Sequence, residues 1–112
     1  MPSGRFASFA DFWPFYLSQH SRRMTRALHF VGTNAAVVLV VMAAWRRNPW
    51  LLLAGLAAAY GLAWIGHFFV ERNRPATFRH PLWSFAGDWK MWALTWNGHL
   101  RRELRRHGVA DL

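Results

Sequence analysis

The chain has 112 residues, of which 54% are apolar and 17% aromatic, and it carries a formal net charge of +9. That length is one domain with one core, placed here over residues 1–112. The charge alone would suit nucleic acid, but long uncharged runs do not. Apolar spans in lipid with arginines at an anionic surface account for both, so a membrane is the expected partner and nucleic acid is not. With no cysteine, disulfides and thiolate metal sites are excluded.

The first 27 residues lack the continuous apolar core of a signal peptide, so the spans themselves are expected to direct insertion. Phe6, Phe9, Phe12, Trp13, Phe15, Tyr16 and Leu17 form an aromatic patch too interrupted to cross a bilayer. Ser8 followed by Asp11 resembles a helix start. Pro14 is tolerated only near such a start. The segment reads as an interfacial helix ending near His20.

Leu28–Trp45 and Trp50–Val70 are uncharged runs of 18 and 21 residues, each long enough to cross a bilayer. Arg46, Arg47, Asn48 and Pro49 form the turn between them, flanked by Trp45 and Trp50. Two such helices buried in a soluble protein would need far more surrounding chain. Residues 1–27 hold four Lys/Arg and residues 71–112 hold eight, against two in the turn. Both termini are therefore expected on the cytoplasmic side. The chain then belongs to a multi-pass integral membrane protein of a bacterial inner membrane or an endoplasmic reticulum.

Pro81 and Gly87 suggest a loop over 78–87, after which Asp88 is expected to cap a last helix running to about Arg106. Trp89, Trp92, Trp96, Leu100 and Leu104 recur at helical spacing, opposite Arg101, Arg102, Arg105 and Arg106. The expected fold is an all-α membrane protein. Its centre is a two-helix transmembrane hairpin, about 28–45 and 50–70, flanked by N-terminal and C-terminal interfacial amphipathic helices.

The turn centres on Asn48, with His29 nineteen residues before it and His67 nineteen after. At about 1.5 Å per residue both lie about 28 Å from the turn, at one depth near the cytoplasmic surface. His20 closes the preceding helix, and Glu71 lies one turn beyond His67. Three imidazoles and a carboxylate suit a divalent metal such as iron, manganese or zinc. Taken singly, each has an ordinary reading as an interfacial side chain or a surface ion pair. Tyr16 shares a helix face with His20, and Tyr60, Trp64, His67 and Glu71 form one stripe. Asn73 and Arg74 stand near enough to orient the carboxylate, and Arg74 could instead pair with a substrate acid group. His80 and His107 fit a solvated surface better, whereas His99 flanks the Trp ridge and could bend toward the site. Gly32, Ala35 and Ala36, facing Ala54, Ala58 and Gly61, would let the helices approach closely.

YLSQH (Tyr16–His20), RALHFVGT (Arg26–Thr33) and WIGHFFVERNRPATF (Trp64–Phe78) together resemble the Mpo-like family of small membrane proteins. The resemblance covers most of residues 6–95, and the GHxxxE…RPA block is its most specific part. It implies an iron-dependent dioxygenase that shortens 2-hydroxy fatty acids by one carbon. It further implies that His20, His29, His67 and Glu71 hold Fe(II), with Glu71 as ligand or base. Fungal members carry extra hydrophobic segments where this chain has one tight hairpin, which implies a different lipid or a homo-oligomer that closes the site. Two rival functions stand beside this one: electron transfer by a heme b held between His29 and His67, and a non-catalytic membrane adaptor that binds lipid through the C-terminal arginines.

Overall fold

In the computed structural model, which describes residues 6–112, the chain is all-helical, with no strand among the described residues. Helix α1 (Phe9–Ser18) begins as its sequence directs: Ser8 is extended, and its hydroxyl accepts the Asp11 amide at 3.2 Å. Pro14 sits inside this helix without ending it.

Helix α2 (Arg23–Arg46) starts five residues before the expected Leu28. Two side chains make the extra turn stable. The Glu71 carboxylate accepts the Arg22 amide at 2.5 Å and the Ser21 hydroxyl at 2.9 Å, placing negative charge at the helix N-terminus. Arg26, which read as a charge outside the apolar run, turns inward onto the His20 carbonyl at 2.8 Å and onto Asp111. Arg47 ends α2 in the left-handed conformation, φ 53°.

Helix α3 (Trp50–Ile65) follows, its first amide held by the Asn48 side chain at 3.1 Å. It continues into a wider π turn, Gly66–Glu71, closed by Arg72 at φ 62°. Such widened turns are frequent at functional sites. Both α2 and the continuous helix Trp50–Glu71 are long and apolar enough to cross a membrane.

Small residues bring α2 and α3 together. A Cβ on Gly32 would meet the Ala58 carbonyl at 3.0 Å, and one on Gly66 would meet the Thr25 methyl at 3.1 Å. The expected seam is therefore correct at Gly32 and Ala58, whereas Gly61 has nothing within 4 Å of its Cβ position.

The C-terminal part differs from its expectation. Helix α4 (Pro81–Asn97) begins at Pro81, whose fixed φ suits a first helical position, and helix α5 (Leu100–Arg106) follows. Gly98, at φ 79°, separates them and needs its glycine. Pro81 is thus a starter rather than a breaker, Gly87 lies mid-helix, and Asp88 caps nothing. The ridge of Trp and Leu is also divided. Leu100 and Leu104 are buried with Phe12, Trp13, Tyr16, Leu17 and Met91, while Trp89 and Trp96 stay exposed. The core of the molecule accordingly lies between α1, α4 and α5 at one end of the α2–α3 pair. Trp13 fixes it further by donating to Glu103 at 2.8 Å.

Candidate metal centre

His20 lies in the turn after α1, His29 in the second turn of α2, and His67 in the π turn. They are 1%, 7% and 3% exposed. One ligating nitrogen from each lies within 4.8 Å of the other two. The structure thus brings together the three histidines expected from the sequence.

Which nitrogen each ring offers follows from its partners. Nδ1 of His20 donates to the Tyr16 carbonyl at 2.7 Å, and Nδ1 of His29 to the Thr25 carbonyl at 2.9 Å. Nδ1 of His67 donates to Asn73 Oδ1 at 2.7 Å, and the Asn73 amide nitrogen donates in turn to the Gln19 carbonyl at 3.1 Å. These oxygens accept only, so every imidazole carries its hydrogen on Nδ1 and leaves Nε2 bare. Burial first, and then the neighbouring His29 and His67 rings, hold the His20 pKa well below its usual value.

Nε2 of His20 and Nε2 of His29 are 3.1 Å apart. Two bare nitrogens at that distance repel unless a cation lies between them. Ligand bonds of about 2.0–2.1 Å put neighbouring nitrogens about 3.0–3.4 Å apart. The spacing of His20 and His29 therefore suits a divalent first-row metal, with His67 within reach of both, and each ring is oriented from behind as metal-bound histidines ordinarily are.

A heme between His29 and His67 does not fit. Their ring centroids are 5.1 Å apart and nearly perpendicular, whereas rings on opposite faces of one iron stand more than about 6 Å apart with bonds of about 2.0 Å.

The remaining expected residues occupy other positions. Glu71 spends its oxygens on Ser21 and Arg22 and stands outside the histidine group. Tyr16 stacks on His20 with centroids 4.2 Å apart, and its hydroxyl donates to Asp88. Arg74 is exposed beside Phe68, Phe69 and Arg72, in a shallow depression apart from the histidines. His80 belongs to an aromatic cluster with Phe12 and Trp83, His107 pairs with Glu103, and His99 is exposed.

A cavity of about 500 Å³ opens at the centre and runs between α2 and α3. His29 and His67 form its head, with Thr33, Tyr60, Trp64 and Asp88, and Val40, Val41 and Leu52 lie along its length. From His29 to Val41 the helix rises about 18 Å. Local pattern marks Asp88 only as a helix cap; its place at the cavity head depends on α4 starting at Pro81, a start that the local pattern does not show. Burial raises its pKa to about 6, against the opposing pull of the Tyr16 hydrogen bond.

No curated protein and no solved structure gives a significant match to this chain. The family model described as 2-hydroxy-palmitic acid dioxygenase Mpo1-like matches residues 6–100. That span takes in all three histidines, the cavity and Asp88, and the chain belongs to this family.

Proposed function

We propose that the protein is an iron-dependent dioxygenase that shortens 2-hydroxy fatty acids by one carbon at a membrane interface. The observation that carries this reading is that His29 and His67 belong both to the three-histidine cluster and to the head of the long apolar cavity. A polar group reacting at the histidines would have its hydrocarbon tail in that cavity. The family description supports the substrate class.

In this reading α2 and α3 cross the bilayer as a hairpin, with the turn at 47–49 outside and both termini cytoplasmic. The arginine distribution supports that orientation. The α1–α4–α5 core then sits at the cytoplasmic interface, where a fatty acid presents its head. Arg72 and Arg74 add positive charge there and favour the approach of an acid.

His20, His29 and His67 would hold Fe(II), which when bound supplies oxygen activation and a chelating position for the substrate carboxylate and 2-hydroxyl. The net reaction converts a 2-hydroxy acid and dioxygen into the acid one carbon shorter, carbon dioxide and water. Dioxygen takes up all the electrons the substrate loses, so no separate reductant is needed. The chain's own residues fix the geometry. Asn73 and the carbonyls of Tyr16 and Thr25 keep hydrogen on Nδ1 of each ring, so the lone pairs point inward. Tyr16 holds the plane of the His20 ring by stacking. Glu71 acts as a positioning residue, tying the end of the π turn to the start of α2. The apolar walls, including Trp64, Phe85 and Trp89, give the tail hydrocarbon contact.

The test is conversion of 2-hydroxypalmitic acid by Fe(II)-loaded protein in mild detergent, read by mass spectrometry. The shortened acid is expected from the parent and not from His29→Ala. Equal product from both would contradict the proposal.

A further inference from the structure

The polar groups around the cavity differ in what they leave unsatisfied. His29 and His67 have the Nδ1 partners described above. Thr77 and Ser84 bond each other at 3.1 Å. Thr33 and Tyr60 are hydroxyls, able to donate or accept. Asp88 alone carries a formal negative charge at the cavity wall.

The setting of Asp88 is unusual for a carboxylate. It is partly buried, and no cation pairs with it among the described residues. Its Oδ1 accepts the Tyr16 hydroxyl, and Oδ2 takes no hydrogen bond among the described residues. Tyr16 is fully buried and stacked on His20, so Asp88 is held at a set position relative to the three histidines. Gly87 reinforces this, because the Tyr16 ring lies against its backbone, 2.8 Å from where a Cβ would stand.

A fixed carboxylate oxygen in an apolar cavity is costly when unpaired and accepts only. The partner it lacks is a hydrogen-bond donor on the occupant, close to the histidine end. On a fatty acid whose head lies at the histidines, a hydroxyl on the carbon next to the carboxylate is such a donor. A carboxylate head offers none.

We infer that Asp88 is a specificity-determining residue: its free oxygen accepts the substrate's 2-hydroxyl and makes the cavity select hydroxylated over plain fatty acids. This rests on the fatty-acid reading given under Proposed function. An acid without the hydroxyl leaves Oδ2 facing hydrocarbon, and sites built to bond a hydroxyl reject the analogue lacking it. Arg74, the side chain expected from sequence to meet the substrate's polar end, does not line the cavity.

The experiment is equilibrium binding of 2-hydroxypalmitic acid and of palmitic acid to Fe(II)-loaded protein kept anaerobic, where no turnover occurs. The parent is expected to prefer the hydroxy acid by about tenfold to hundredfold, the range of one hydrogen bond to a charged group. In Asp88→Ala the ratio falls by about tenfold or more, to the preference that chelation by iron alone supplies, with palmitic acid bound at least as tightly as by the parent. Asp88→Asn keeps the side-chain shape and an amide oxygen, and is expected to retain a reduced preference. Iron content is measured on each variant to show that the centre is intact. A full parental ratio in either iron-binding variant overturns the inference and leaves the fatty-acid reading standing. Failure of the parent to bind either acid overturns both.

Discussion

Nε2 of His20 and Nε2 of His29 face each other at 3.1 Å, while the Nδ1 atoms of both rings are committed to backbone carbonyls. This arrangement is stable with a cation between the rings and strained without one. A ligand that binds only the folded state stabilises it by mass action. Fe(II) or Zn(II) added to metal-free protein at about a hundredfold above its dissociation constant should therefore stabilise it by about 2.7 kcal/mol. A chelator should reverse the rise in melting temperature. A melting temperature indifferent to metal would count against the centre.

Asn73 joins the π turn to the turn after α1, bonding His67 Nδ1 at 2.7 Å and the Gln19 carbonyl at 3.1 Å. Removing a group that orients a ligand typically costs about tenfold to hundredfold in metal affinity. Asn73→Ala should weaken Zn(II) binding by that range, and Asn73→Asp, which still accepts from His67, should restore most of it. Competition with a metallochromic chelator reads both.

Glu71 distinguishes two roles by one substitution. As the group that holds Ser21 and the Arg22 amide, its change to Gln should cost about 1 kcal/mol of stability, the usual scale for a helix-start interaction. Metal stoichiometry should stay at the parental value. Loss of the metal together with an unchanged melting temperature would restore Glu71 to the ligand set.

Gly87→Ala places a methyl 2.8 Å from the Tyr16 ring, which is buried and unable to swing away. Overpacking of this kind costs about 1–3 kcal/mol. The variant should melt lower and bind metal less tightly, because Tyr16 carries His20 with it. An unchanged melting temperature would show that α4 and α1 can separate freely.

Asp88 gives a pH signature. Its folded pKa of about 6 lies above the ordinary value of 3.8. A raised pKa means that the folded state holds the proton more tightly, so this contribution is fully present below 3.8 and is lost as pH rises through about 6. Relative to Asp88→Asn, the parent should lose stability between pH 4 and 7, by on the order of 2 kcal/mol. Asp111 has the opposite sign. The hydrogen bond from Arg23, with help from Arg26, lowers its pKa, so its contribution holds above 3.8 and is lost below that value. Thermal melts from pH 3 to 8 separate the two.

The sequence was legible where its signals were local or periodic. The two apolar runs and the turn between them emerged from charge alone. His29 and His67 share a depth because they stand equally far from Asn48, and His20 follows at the end of α1. What remained hidden depended on contacts distant along the chain. Glu71 looks like a ligand at four residues from His67, and only the fold shows that Ser21 and Arg22 claim it. Pro81 and Gly87 resemble loop residues until Tyr16 is seen lying against Gly87. Asp88 then passes from helix cap to cavity wall. Arg26 reads as interfacial charge, because its partner Asp111 lies at the far end of the chain.

Iron content after anaerobic reconstitution with Fe(II), measured on the parent and on His67→Ala in mild detergent, tests the centre most directly. The account predicts about one iron per parent chain, no Soret band, and loss of that iron in the variant. Equal iron in both proteins, or none in the parent, would contradict it.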